Sequence, residues 1–425
     1  MNAGENPQRE HTGGATPNRF DRYRYVFSAV FFLVLMAGAD LVAGRALARR
    51  AQLVLAHGRA VERTYRSRDS VYHHDLRPNA RIDTAAYGDI IYPLRTNSLG
   101  FKDADVRQVD LATSRQRTLF IGDSFTEGIG VAYESTFVGR FAAIAARRGI
   151  DVSNAAVASY SPIIYWKKTV DLIDRRHVPV SEVVVFIDIS DIQDEVNYYV
   201  DSAGRMQTRA SLGFFDDVGA GSKNAKAPRA GVVSRLKAGW KSNSLLYRMV
   251  PSSRAAMGPA PQPPPGCRLP RFDGNYECRG GWTSSPAVMA AFGAEGLKTA
   301  QVHMSALSEY LRSNQIPLTV VVYPWPQQLR WGDRTSLQVS VWRDWAEREH
   351  AQFIELFTPF FAAADSTSVD AVVKRYFVHD NVHWNDAGHA LVTRLFTAAY
   401  CQPSGALEAV RPLAVALCDS TSALR

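Results

Sequence analysis

Two short stretches of this 425-residue chain place a nucleophile and a base where they could act together. The first is Gly122-Asp123-Ser124-Phe125-Thr126-Glu127-Gly128, directly after the apolar run Thr118-Leu119-Phe120-Ile121. A serine at a tight turn from strand to helix turns its hydroxyl and its backbone N–H toward one cavity, as attack on a carbonyl requires. The same residues allow a purely structural reading, because Ser124-x-x-Glu127 is also a capping box that would start a helix. Thr126 stands where a second glycine would complete G-x-S-x-G, so that nucleophile elbow is not met. The second stretch is His379-Asp380-Asn381-Val382-His383-Trp384-Asn385-Asp386-Ala387-Gly388-His389. On a loop, an acid three residues before a histidine can accept from one ring nitrogen while the other nitrogen faces a serine. His379 and His389 are rival bases, but only His383 has Asp380 three residues before it and precedes the helix. The structural alternative is a solvated loop in which Asn385 or Asp386 caps that helix.

Taken together, Gly122-Asp123-Ser124 and Asp380-x-x-His383 resemble the first and last sequence blocks of the SGNH/GDSL hydrolases, with Asn385 and Gly388-His389 fitting the continuation of the last. The resemblance implies a three-layer α/β/α flavodoxin-like fold over residues 116–400 and acyl-ester chemistry without cofactor or metal. Ser124 would be the nucleophile and Asp380 would orient His383 as base. The middle blocks depart from the pattern. Ser159 stands for the usual glycine, where only a backbone N–H is needed beside that of Ser124. In Asp188-Ile189-Ser190-Asp191, Ser190 replaces the asparagine whose amide donates to the oxyanion, and a serine hydroxyl reaches less far. Losing one such donor costs about 10²- to 10³-fold in rate.

The resemblance also suggests, for a membrane-anchored member, hydrolysis or transfer of O-acyl groups on cell-envelope or exported polysaccharide. An acylated carbohydrate or other ester would be the substrate, with a membrane acyltransferase as a possible partner. Tyr160, Trp166, Tyr198, Tyr199, Trp325 and Trp331 are candidates for stacking on sugar rings, although most aromatics pack in cores. The rival expectation is a catalytically silent carbohydrate-binding or assembly protein on the same fold, favoured by the change at Ser190.

The elements that must hold these residues follow from hydrophobic patterning. Short apolar runs at 118–121, 183–187, 318–323 and 353–357 alternate with helical patterns at 137–148, 285–313, 337–350 and 386–400, which predicts a parallel sheet covered on both faces. In such a sheet chemistry sits beyond the carboxyl ends of the strands. Residues 69–115 read as an extended lead-in with two strands around 87–94. Residues 201–284 break the rhythm with Gly- and Pro-rich sequence, marking an insertion, and 401–425 read as a tail.

Composition is globular, with 46% hydrophobic and 21% charged residues, and a net charge of +8 from 49 basic and 41 acidic side chains. Residues 1–68 hold eleven arginines against five acids, leaving the rest of the chain at only +2. A body so nearly neutral excludes a phosphate-backbone binder. The arginines bracket an apolar stretch at 25–44, long enough to cross a bilayer once, between an N-terminal tail at 1–24 and a juxtamembrane helix at 45–68. Ala37-Gly38-Ala39 also offers a signal-peptidase site, so a cleaved signal is the alternative. Arginines flank both ends and leave topology undecided. Cys267 with Cys278 and Cys401 with Cys418 could close two short loops as disulfides, which favours an oxidising, extracytoplasmic compartment for the body. No cysteine or histidine spacing suggests zinc.

Overall fold

In the computed structural model, residues 19–209, 244 and 276–402 are described. The N-terminal tail, most of the insertion and the C-terminal tail lie outside them. Residues 19–53 belong to one compact unit, residues 54–209 and 276–402 to another.

A single helix, α1 (Arg19–Tyr65), runs without a break through the expected span at 25–44 and on through 45–65, while residues 66–68, expected as the end of the juxtamembrane helix, begin a strand instead. Its segment Tyr23–Arg50 is long and apolar enough to cross a membrane, and its apolar side chains, Phe31 and Leu33 among them, are exposed. The one acid in the apolar stretch is Asp40.

The larger unit is built on a five-stranded parallel sheet of β5 (Arg117–Ile121), β6 (Asp151–Asn154), β7 (Glu182–Ile187), β10 (Leu318–Val322) and β11 (Gln352–Glu355), in the order β11-β10-β7-β5-β6. Every residue of β5, β7 and β10 is buried, which is why these strands are apolar runs rather than alternating ones. Numbered along the chain the order is 2-1-3-4-5, the doubly wound, flavodoxin-like arrangement. The path reverses at β5, so right-handed crossovers put the helix after β5 on one face and the helices that follow β6, β7 and β10 on the other. Accordingly α3 (Phe137–Ala146) packs with α12 (Asp386–Tyr400), while α4 (Pro162–Val170) and α5 (Asp191–Asn197) pack with α7 (Ala294–Ser313), which also meets α9 (Leu337–Glu349). The helical pattern at 285–313 is interrupted by a π-turn at Met289–Gly293 before α7 begins.

The lead-in segment is part of this body rather than a separate piece. Two hairpins, β1 (Arg66–Asp69) with β2 (His73–Leu76) and β3 (Arg81–Tyr87) with β4 (Ile90–Arg95), bury Tyr72, Leu76, Tyr92 and Leu94 in the same core as the sheet. Their polar sequences are held by ion pairs. Arg66 makes two hydrogen bonds to the Glu127 carboxylate, at 2.8 and 2.9 Å, and one to Glu62 at 2.8 Å. Lys168 meets Asp75 at 2.7 Å with both side chains buried. Of the insertion, β8 (Tyr198–Val200) and β9 (Met206–Thr208) pair at one end, and α6 (Tyr276–Gly280) and Trp282 return at the other. The Trp282 indole is buried and donates to the Ile189 carbonyl at 2.8 Å. Neither described cysteine, Cys278 or Cys401, is a free thiol. The partners expected for them, Cys267 and Cys418, lie outside the described residues.

Removing one side of a buried ion pair leaves an uncompensated charge, at a cost of about 3–5 kcal/mol. Arg66→Met is therefore expected to lower the unfolding free energy by that amount in urea titrations, although residue 66 lies 61 positions from its partner Glu127.

Candidate active site

The turn that carries Ser124 is a four-residue helix, α2 (Ser124–Glu127), immediately beyond the carboxyl end of β5. Asp123 caps it by accepting from Phe125 N–H at 2.9 Å, so the capping-box role considered for Ser124 and Glu127 is not realised. Glu127 instead receives Arg66 and the Ala158 N–H, the latter at 2.7 Å. Both glycines of this stretch are forced. A Cβ on Gly122 would sit 2.4 Å from Thr126 Oγ1, and Gly128 ends the helix at φ 74° with its Cβ position 2.3 Å from Thr136 Cγ2.

The loop before α12 brings His383 to this turn. His383 Nε2 lies 2.7 Å from Ser124 Oγ, across 259 residues of sequence. The imidazole is stacked on the Phe125 ring at 4.6 Å and meets the Tyr87 ring edge-on at 5.0 Å. Burial, and then the Arg279 charge, lower its pKa to about 3. The ring is thus neutral at physiological pH, as a proton acceptor must be.

Asp380 is not brought to His383. It sits at φ 52° with its side chain 90% exposed, and its carboxylate faces His379 Nδ1 at 3.2 Å. The left-handed backbone turns it out to solvent. His383 Nδ1 instead faces Asn381 Oδ1 at 2.7 Å and the Tyr87 hydroxyl at 2.9 Å. Asn381 is adjacent to the expected acid and could have been weighed from the sequence. Nothing there pointed to Tyr87, which lies at the turn of the β3–β4 hairpin. The rival histidines stand elsewhere. His379 is exposed, and His389 is buried with Nδ1 accepting from Phe137 N–H at 3.2 Å. Asn385 caps α12 through Gly388 N–H.

Of the three expected oxyanion donors, the backbone N–H groups of Ser124 and Ser159 have no backbone or side-chain acceptor among the described residues. Ser159 has φ 63°, the conformation that the glycine of the resembling family would adopt without strain. Its loop is held by Tyr198, whose hydroxyl donates to the Ser159 carbonyl at 2.7 Å, and by His74, whose Nε2 lies 2.7 Å from the Ala158 carbonyl oxygen. Ser190 is buried, and both its N–H and its side chain are engaged by the Asp188 carboxylate. Its hydroxyl is therefore not presented as a donor. Tyr160, Tyr198 and Trp325 are buried and hydrogen-bonded within the framework, so they offer no face to a sugar. Trp166, Tyr199 and Trp331 remain partly or wholly exposed.

Behind Ser124 lies a buried carboxyl group of Asp123, Asp188 and Asp191, each offering an oxygen within 4.8 Å of the others. Oxygen donors so spaced have the chemistry of a hard-cation site, and the hydrogen bonds they accept favour the ionised form, but burial and mutual repulsion act against it. Asp188 accepts from the Trp325 indole at 2.6 Å, and Asp191 accepts from the Tyr165 hydroxyl at 2.8 Å. Burial pushes all three up from the usual carboxylate range, furthest at Asp123, helped by Asp188, and at Asp191, helped by both neighbours. At Asp194 burial outweighs even Arg279, 2.7 Å away, and raises the carboxyl to about 7.

No family model matches the chain, and no curated protein does. Solved structures do align with it. One is a two-domain esterase active on acetylated mannans, at 11% identity and TM-score 0.34, covering 68% of this chain and half of that one. A lipolytic protein of the G-D-S-L family from Desulfitobacterium hafniense aligns at 12% identity and TM-score 0.33, covering 67% and 99%. An acetylxylan esterase from Geobacillus stearothermophilus aligns at 13% and 0.35, covering 67% and 93%. With identities and TM-scores this low, the functional reading rests on the site's own geometry.

The protonated carboxyls make a thermodynamic prediction. Above pH ~4 the folded chain holds protons there that the unfolded chain has lost, so their contribution is complete at low pH and declines as pH rises. Asp191→Asn fixes one of them in its neutral form. The unfolding free energy of this variant in urea titrations is expected to gain on wild type as pH rises above the usual carboxylate range, by at most about 1.4 kcal/mol per pH unit.

Proposed function

We propose that the chain is a serine-dependent acyl-ester hydrolase of the SGNH/GDSL kind, working through an acyl-enzyme on Ser124. The observation that carries this reading is the 2.7 Å contact between His383 Nε2 and Ser124 Oγ, made at the point in the sheet where the strand order reverses.

As the Ser124 oxygen attacks the ester carbonyl, His383 Nε2 takes its proton. The carbonyl oxygen gains the negative charge and is met by the N–H groups of Ser124 and Ser159. Collapse of the tetrahedral species breaks the ester bond, and the proton on Nε2 passes to the departing alcohol. Water, giving its proton to the same nitrogen, then releases the acid and restores Ser124. If a sugar hydroxyl takes the place of water, the same residues perform acyl transfer. The uncharged carboxyls behind Ser124 suit this chemistry, because ionised ones would repel the developing oxyanion.

The family resemblance and the apolar helix α1 support an acylated polysaccharide of the cell envelope as substrate, met by a body held outside the cytoplasmic membrane. The near-neutral body is compatible with an uncharged sugar ester. A silent binding protein is the second reading, and it draws on Ser190, whose hydroxyl is occupied by Asp188.

Hydrolysis of 4-nitrophenyl acetate by the purified full chain tests the proposal. Wild type should turn over, Ser124→Ala should lose about 10³-fold or more in kcat, and equal rates for the two would support the binding protein. Ser159→Gly should retain activity, since it keeps the N–H and relieves the positive φ, whereas a bulky β-branched residue there should reduce it.

A further inference from the structure

Several hydrogen-bonding groups converge on one atom beside the catalytic ring. Asn381 Oδ1 accepts from the backbone N–H of Val382 at 2.8 Å and of His383 at 3.2 Å, and from the Tyr87 hydroxyl at 3.0 Å. Backbone N–H groups can only donate, so the amide atom facing them must be the oxygen and not the nitrogen. That oxygen lies 2.7 Å from His383 Nδ1. An acceptor there requires the proton on Nδ1 and leaves the lone pair on Nε2 for Ser124. Tyr87, its own proton given to Asn381, presents a hydroxyl lone pair to the same nitrogen at 2.9 Å.

We propose that Asn381 and Tyr87 are the positioning residues of His383, fixing its tautomer and ring orientation with two neutral groups where the resembling family would use an acid. The proposal rests on the reading of Ser124 and His383 as nucleophile and base. Its consequence is electrostatic. An amide and a phenol hold the Nδ1 proton by dipoles alone and supply no negative charge to an imidazolium. Among the described residues, the other titratable groups near the ring do not supply one either. Arg279 on α6 is cationic, His389 on α12 is neutral, and Asp123 at the start of α2 is held protonated by burial. Asp380 and His379, on the histidine's own loop, face solvent together. The low basicity of His383 follows from that environment.

Tyr87 also gives the β3–β4 hairpin a working role. The two-residue turn Gly88-Asp89 follows it, and Tyr87 and Ile90 lie against Gly130 in the loop after the nucleophile helix, 3.7 and 3.8 Å from where a Cβ would stand. The hairpin thus reaches both halves of the catalytic pair.

The test uses the full chain in detergent with ¹⁵N-labelled histidine, His383 being assigned by its loss in His383→Gln. Its titration is followed by NMR, and kcat/KM for 4-nitrophenyl acetate is followed against pH. Asn381→Asp places a charge beside Nδ1 and is expected to raise the His383 titration midpoint, and the acidic limb of kcat/KM with it, by at least about one pH unit. Tyr87→Phe removes one hydrogen bond and should lower kcat about 10-fold with little change in KM. Asp380→Asn should leave both the titration and kcat/KM within about twofold of wild type, because the residue is outside the network. The proposal is overturned if Asn381→Asp leaves the midpoint in place, or if Asp380→Asn moves it or costs activity that Tyr87→Phe does not. A wild type that titrates as described but does not hydrolyse esters would instead overturn the nucleophile reading and leave the positioning account standing.

Discussion

A hydrogen bond between Ser124 and His383 joins two side chains 259 residues apart, and much of the surrounding architecture keeps that distance at 2.7 Å. On the serine side, the end of β5 fixes the backbone, Asp123 caps the short helix, and Gly128 lets the chain turn away at once. On the histidine side, Phe125 supports one face of the ring, and Asn385 fixes where the loop ends and α12 begins. Phe125 is itself the residue after Ser124. The Ser124 turn therefore builds part of the wall against which His383 rests, coupling the two halves of the candidate site through a single aromatic side chain.

Electrostatics set a second constraint. The crevice beyond β5 and β7 concentrates Asp123, Asp188, Asp191 and Asp194 in a buried region where Arg279 is the one nearby guanidinium among the described residues, and full ionisation there would be unfavourable. Burial and mutual repulsion therefore raise these acids, favouring their neutral forms beneath Ser124. The opposite strategy operates a few residues away, where Arg66 and Glu127 are paired through two hydrogen bonds. That ion pair fastens the first strand after α1 to the nucleophile turn and, through Ala158, to the loop that carries Ser159. The lead-in segment is in this way structural support for the site rather than a tether.

The legible parts of the fold are those whose environment leaves a compositional mark. Strands β5, β7 and β10 are buried on both faces and read as continuous apolar runs, and α12 was bounded at 386–400 from its pattern. Strand β6, Asp151-Val152-Ser153-Asn154, lies at the sheet edge and carries too many polar residues to stand out. Hairpins β1–β2 and β3–β4 are stabilised by ion pairs and by packing between distant residues, which leave no local period. Within the site, Ser124 was accessible because it follows the apolar run of β5. His383 was accessible because it lies three residues after an acid and just before a helix, although the segment leading to it, Val369–Tyr376, is itself a helix and not a strand. Asp380 was the natural choice of orienting group by spacing, but spacing does not reveal a left-handed backbone. Tyr87 makes its contact from 296 residues away and left no trace in sequence order.

The central claim is that His383 activates Ser124, and covalent labelling of the intact chain reads this directly. Treatment with a fluorophosphonate followed by peptide mass mapping should place one adduct on Ser124 in wild type, with the rate of labelling falling by about 10³-fold in His383→Ala. No adduct on Ser124, or one formed equally fast without His383, would contradict the account.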